Sequence, residues 1–64
     1  MGFAKIQMSG WGDDYQWVDA DRVTRIGGKP GNWGSYMLEG EDRWVKTHEG
    51  TDELVRKIEE AKSR

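Results

Sequence analysis

The chain has 64 residues, a net charge of −2 at pH 7, no cysteine and one histidine, so it forms at most one domain and has no disulfides. No apolar run reaches the roughly 18 residues of a transmembrane helix and no signal-peptide pattern is present, which predicts a cytoplasmic protein that makes no membrane contact. Only nine residues are Ile, Leu or Val. So small a core predicts a marginal fold that gains buried area by forming a homo-oligomer.

The first predicted element is an antiparallel hairpin near the N-terminus. A strand is expected over about 3–8, because Ala4, Ile6 and Met8 alternate with polar residues. The aromatic and β-branched run 15–18 predicts the second strand. A loop of six residues rich in turn formers joins them.

Three further strands are predicted in the middle of the chain, over about 22–26, 35–39 and 43–47. The first two are separated by the loop 27–34, which contains four glycines and the only proline. The last two are joined by a tight turn at 40–42.

The last predicted element is a helix over about 52–62. Leu54, Ile58 and Ala61 recur at helical spacing, and Thr51 is the expected N-cap. The predicted fold class is therefore α+β. A small curved antiparallel sheet of three to five strands is followed by one C-terminal helix packed on one face.

Two stretches resemble a small protein family. The segment 18–26 reads Val-Asp-Ala-Asp-Arg-Val-Thr-Arg-Ile, and a later Val45-Lys46 strand is followed by the helical segment 51–58. This order resembles the small flagellar and swarming-motility proteins of the FlbD type over about half the chain, mainly 18–26 and 44–58. The resemblance implies a non-enzymatic regulatory or adaptor protein that binds another protein.

A basic segment suggests a second class of function. Residues 22–36 contain three basic side chains and no acidic one, together with glycines that let backbone amides approach an anion. Arginine suits phosphate, and aromatic rings stack on bases. The segment predicts a site for a phosphorylated or nucleotide ligand, or weak nucleic-acid binding, against the alternative of a solvated hairpin loop. The candidate ligand-binding residues are Arg22, Arg25, Gly28, Lys29, Gly31, Trp33 and Tyr36.

All four tryptophans are candidate interface residues. Trp17 and Trp44 lie on predicted strands and are expected in the core or at an interface. Trp11 and Trp33 lie on Gly-flanked loops, where each either folds back as a lid on the core or anchors a partner or ligand.

Neither catalysis nor metal binding is predicted. His48 is the only histidine, it is expected in a turn or at the surface, and no nucleophile motif surrounds the serines. The acidic pairs 13–14 and 19/21 fail the EF-hand pattern and suit turns and caps. The sequence thus predicts a non-catalytic binding or regulatory module without a cofactor, with ligand and nucleic-acid binding as the alternatives.

Overall fold

The computed structural model describes residues 2–12 and 14–63, and Asp13 of the first acidic pair lies outside them. The chain forms five strands and a C-terminal helix: β1 (Phe3–Gln7), β2 (Tyr15–Asp19), β3 (Val23–Gly27), β4 (Trp33–Leu38), β5 (Val45–Gly50) and α1 (Thr51–Lys62). A short 3-10 turn, Ala20–Arg22, joins β2 to β3. The predicted α+β fold, with a C-terminal helix packed on antiparallel strands, is confirmed.

The strands are divided between two hydrogen-bonded sheets. β1 pairs with β2, and β3, β4 and β5 form the second sheet in that order. The division occurs at Asp19, whose carboxylate accepts a hydrogen bond from the Asp21 amide at 3.1 Å and starts the 3-10 turn. Ala20 in this turn is fully buried. The chain therefore changes direction before β3, and β2 and β3 do not pair.

Several element boundaries differ from those predicted. Arg22 belongs to the 3-10 turn and not to β3. Trp33 and Gly34 begin β4, although both were expected in the loop. β5 extends to Gly50, so His48 is a strand residue. The reason is pairing: Trp33 lies opposite Gly50 in the β4–β5 ladder, which lengthens both strands.

The prediction of Thr51 as the helix N-cap is wrong. Gly50 occupies the cap, and Thr51 is the first helical residue. Its hydroxyl donates to the carbonyls of Lys29 and Asn32, both at 3.1 Å, and its amide donates to Asn32 at 3.0 Å. A tertiary contact with the β3–β4 loop thus takes the hydroxyl that a local cap would have used.

The core lies between the two sheets and α1. Leu54 and Ile58 of the helix are fully buried, as predicted, against Ile6 and Tyr36. The helix approaches β4 closely at Gly34, where an added Cβ would lie 2.9 Å from Leu54 Cδ2. The rest of the buried set is small or β-branched: Ala4, Val18, Ala20, Val23, Thr47 and Ala61.

Candidate functional site

The structure does not bring the basic segment 22–36 together as one cradle. The Arg22 carbonyl accepts a hydrogen bond from the Glu39 amide at 2.7 Å, which places Arg22 at one end of the β3–β4 hairpin. Lys29 lies in the loop at the other end, separated by the five residues of β3, roughly 17 Å of extended strand. One phosphate group cannot contact both side chains.

The loop glycines serve the fold. Lys29 and Asn32 close a turn by an amide-to-carbonyl bond of 3.0 Å, with Pro30 and a positive-φ Gly31 as its central residues. An added Cβ at Gly28 would lie 2.4 Å from Thr51 Oγ1. Gly28 is a predicted ligand residue because a glycine lets an anion come close to the backbone. In the structure, the group that lies close to the Gly28 backbone is the side chain of Thr51, the first residue of α1.

Tyr36 does not fit its predicted role as a stacking surface. It lies on the inner side of β4 and only 2% of it is exposed, because Gly34, Tyr36 and Leu38 alternate toward the core. Burial raises the pKa of the Tyr36 phenol above its ordinary value of 10.0, and the nearby Glu41 carboxylate raises this pKa further.

This raised pKa predicts a loss of stability in alkali. Above pH 10 the unfolded chain releases the Tyr36 proton more readily than the folded chain does, so the free energy of unfolding falls as the pH rises. One such group contributes at most about 1.4 kcal/mol per pH unit. Urea unfolding at about pH 8, 10 and 11 measures the effect, with Tyr36→Phe as the control that keeps the ring. If the free energy of unfolding falls equally in the wild type and in Tyr36→Phe, the alkaline loss of stability does not come from Tyr36.

All four tryptophans are exposed, so of the two positions expected for Trp17 and Trp44, core or interface, the core position is wrong. The exposed fractions are 87% for Trp11, 66% for Trp17, 59% for Trp33 and 49% for Trp44. Trp17 points outward because its neighbour Val18 faces the core opposite Ala4. Trp44 precedes the inward-facing Val45, and its ring lies against Gly27. Trp11 and Trp33 do not fold back as a lid on the core either.

One exposed surface is formed by the β1–β2 hairpin. Phe3, Lys5, Tyr15 and Trp17 lie on its outer side and are all exposed; we call them the aromatic hairpin face. Lys5 lies opposite Trp17, and its Nζ is 4.4 Å from the centre of the Tyr15 ring. A groove of about 430 Å³ separates these residues from Lys57 and Glu60 of α1. Phe3 and Lys5 are not among the residues predicted for a site, although their alternation with Ala4 and Ile6 places them on the outer side.

The two edges of this hairpin differ. On β1, the Gln7 amide donates to Glu49 Oε2 at 3.1 Å, and the Lys5 carbonyl accepts from Lys57 Nζ at 3.2 Å. Lys57 and Glu49 also form a salt bridge at 2.6 Å, so side chains close this edge. On β2, the backbone groups of Tyr15 and Trp17 point away from β1, and nothing in the described part of the chain bonds to them. β2 therefore has an open edge beside exposed aromatic rings.

A second exposed surface covers the three-stranded sheet. Its outward positions bring together Arg25 on β3, Trp33 on β4, Trp44 just before β5, and Lys46 and His48 on β5; we call them the outer sheet face. The ring centres of Trp33 and His48 are 3.9 Å apart, with the planes tilted by 56°. Only Arg25 and Trp33 of this face were predicted ligand residues. Lys46 and His48 were missed because the β4–β5 register was needed to place them.

No family model matches the chain, and comparison with curated proteins and with solved structures gives no significant match. Within residues 2–12 and 14–63, no helix is long and apolar enough to cross a membrane. The same residues contain no group of three or more His, Cys, Asp or Glu side chains arranged to hold a metal ion.

Proposed function

We propose that this chain is a non-catalytic protein-interaction module that works as a homodimer, formed through the open edge of β2. The observation that supports this proposal is the combination of unpaired backbone groups at Tyr15 and Trp17 with the exposed rings of the same two residues. An open edge strand is a template for pairing with another strand. The adjoining rings add apolar area at that position.

A second copy of β2 fits this edge by symmetry. With a two-fold axis at Gln16, antiparallel pairing lets the amide and carbonyl of Tyr15 bond those of Trp17 in the second copy, and the reverse. Each Tyr15 ring then lies directly across from the Trp17 ring of the second copy, on the outer side of a four-stranded sheet. Cross-strand aromatic pairs of this kind stabilise antiparallel pairing.

The surface area of the chain supports an additional interface. The accessible surface is 4594 Å². A monomeric protein of 7.4 kDa exposes about 4,200 Å² on average. A stable interface buries about 800 Å² on each partner. Phe3, Tyr15 and Trp17 supply exposed apolar area beside the β2 edge.

Trp17→Lys is expected to weaken the dimer at least about tenfold, because it removes a central ring and places two like charges across the two-fold axis. Trp11→Lys is the matched control, since it makes the same change on an exposed loop. Sedimentation velocity from about 5 to 200 μM measures the dissociation constant, and the unfolding midpoint should rise with protein concentration.

A wild-type chain that remains monomeric throughout this range overturns the proposal. A dimer that Trp11→Lys weakens as much as Trp17→Lys does would place the interface elsewhere. Far-UV circular dichroism of both variants checks that they are folded.

A further inference from the structure

We infer that the outer sheet face binds single-stranded nucleic acid. The net charge of the whole chain does not describe the charge of this face. The chain carries a net charge of −2, yet the charged residues at outward positions of β3, β4 and β5 are Arg25 and Lys46, with no carboxylate among them in the described residues. Glu49 is the only acidic residue within β3, β4 and β5, and its carboxylate bonds Lys57 of α1.

The register places the two cations across the sheet from each other. Arg25 lies opposite Met37 on one side of β4, and Lys46 lies opposite Ser35 on its other side. Ser35 and Met37 are two residues apart on one face of β4, roughly 7 Å. A polyanionic backbone that runs along β4 would thus have a positive charge on each side.

Two tryptophans stand along the same path, and both are held by neighbours. The Trp33 ring contacts His48, and Gly10 also lies close to the His48 ring, where an added Cβ would lie 2.6 Å from Cε1. The Trp44 ring rests on Gly27, where an added Cβ would lie 3.1 Å from the nearest ring carbon. Both rings keep about half of their surface exposed. Rings fixed in this way lose little conformational freedom when a base stacks on them.

Single strands fit this surface better than duplexes. Stacking on a side chain requires an unpaired base, and each base has a π-face, so this mode of binding tolerates any sequence. A ligand that stacks on both rings and bonds both cations needs at least two bases and two phosphates, and so at least two consecutive nucleotides. The ligand class is therefore a single-stranded oligonucleotide and not a mononucleotide.

Fluorescence anisotropy of labelled hexathymidylate tests the inference. Neutralisation of two phosphates by Arg25 and Lys46 predicts that log K falls with log salt with a slope of about −1.4 for a single strand. Arg25→Gln or Lys46→Gln should each reduce the slope by about 0.7. Trp33→Ala or Trp44→Ala should weaken binding roughly 5- to 150-fold. Arg56→Gln, on the exposed side of α1, is the charge-matched control and should leave the slope unchanged.

Three results would overturn the inference. The first is no salt-dependent rise in anisotropy up to about 1 mM protein. The second is binding that Trp33→Ala and Trp44→Ala leave unaltered, which would place the ligand on another surface. The third is equal affinity for duplex DNA of the same length or for thymidine monophosphate. Sedimentation of the protein without nucleic acid tests dimer formation at the β2 edge separately. A negative anisotropy result therefore contradicts nucleic-acid binding without contradicting the proposed dimer.

Discussion

Replacing Leu54 or Ile58 with alanine is expected to lower the free energy of unfolding by about 2–5 kcal/mol, the largest effect of any substitution considered. Both side chains are fully buried where α1 crosses the two sheets. A domain of 64 residues has a total stability of only about 3–10 kcal/mol, so either substitution removes a large part of it. The reason is the cavity that remains, because Gly34 and the surrounding strands already contact the helix and cannot close over the gap.

Thermal and urea unfolding measure this loss. A loss of 1 kcal/mol lowers the melting temperature of so small a domain by about 4–8 °C. Val55→Ala is the control on the same helix, because Val55 is only partly buried and its truncation leaves a smaller cavity. Melting of Leu54→Ala or Ile58→Ala within a degree or two of the wild type would show that α1 does not cover the core.

The second largest effect is expected at Gly28. An alanine there must adopt φ of +141°, a conformation open almost only to glycine, and its Cβ would lie 2.4 Å from Thr51 Oγ1. The strain alone costs about 1–3 kcal/mol. The overlap adds to this cost by displacing the hydroxyl from the Lys29 and Asn32 carbonyls.

The control for this position is Gly50→Ala. Gly50 has φ of −58°, and the nearest atom to its added Cβ is 4.0 Å away, so alanine is accommodated without strain. Gly50→Ala should change stability far less than Gly28→Ala, since the loss of a favoured N-cap residue is offset by the restriction of the unfolded chain. If urea unfolding gives equal stabilities for the two variants, the contact between the β3–β4 loop and α1 contributes nothing to the free energy of unfolding.

The helix and the strands were predictable because their signals are local. Leu54, Ile58 and Ala61 mark one face of a helix whatever surrounds it, and the alternation of Ala4 and Ile6 marks a strand with one buried side. Thr51 was misassigned because its hydroxyl bonds a loop about 20 residues earlier in the sequence. Sequence spacing contains no information about such a contact.

The candidate surfaces were harder to predict because each depends on register. In the run 15–18, either Trp17 or Val18 could face the core, and pairing of Val18 with Ala4 decides which one does. Proximity in the sequence predicts Tyr36 and Trp33 for one site, although strand alternation separates them onto opposite sides of β4. Lys46 joins Arg25 only through two strand pairings. Residues close together in the sequence therefore predicted a single site, whereas the fold places them on different surfaces.

The salt bridge between Lys57 and Glu49 has a consequence for the size of an assembly. A hairpin with two open edges would accept a new copy at each side and grow into a continuous fibre-like array. Here the ammonium bonds the Lys5 carbonyl and the carboxylate bonds the Gln7 amide, so these two groups of β1 are not free to pair with a further strand. In the proposed dimer, this ion pair would leave the hairpin with one open edge for pairing, at β2. Addition through the hairpin would then stop at two copies.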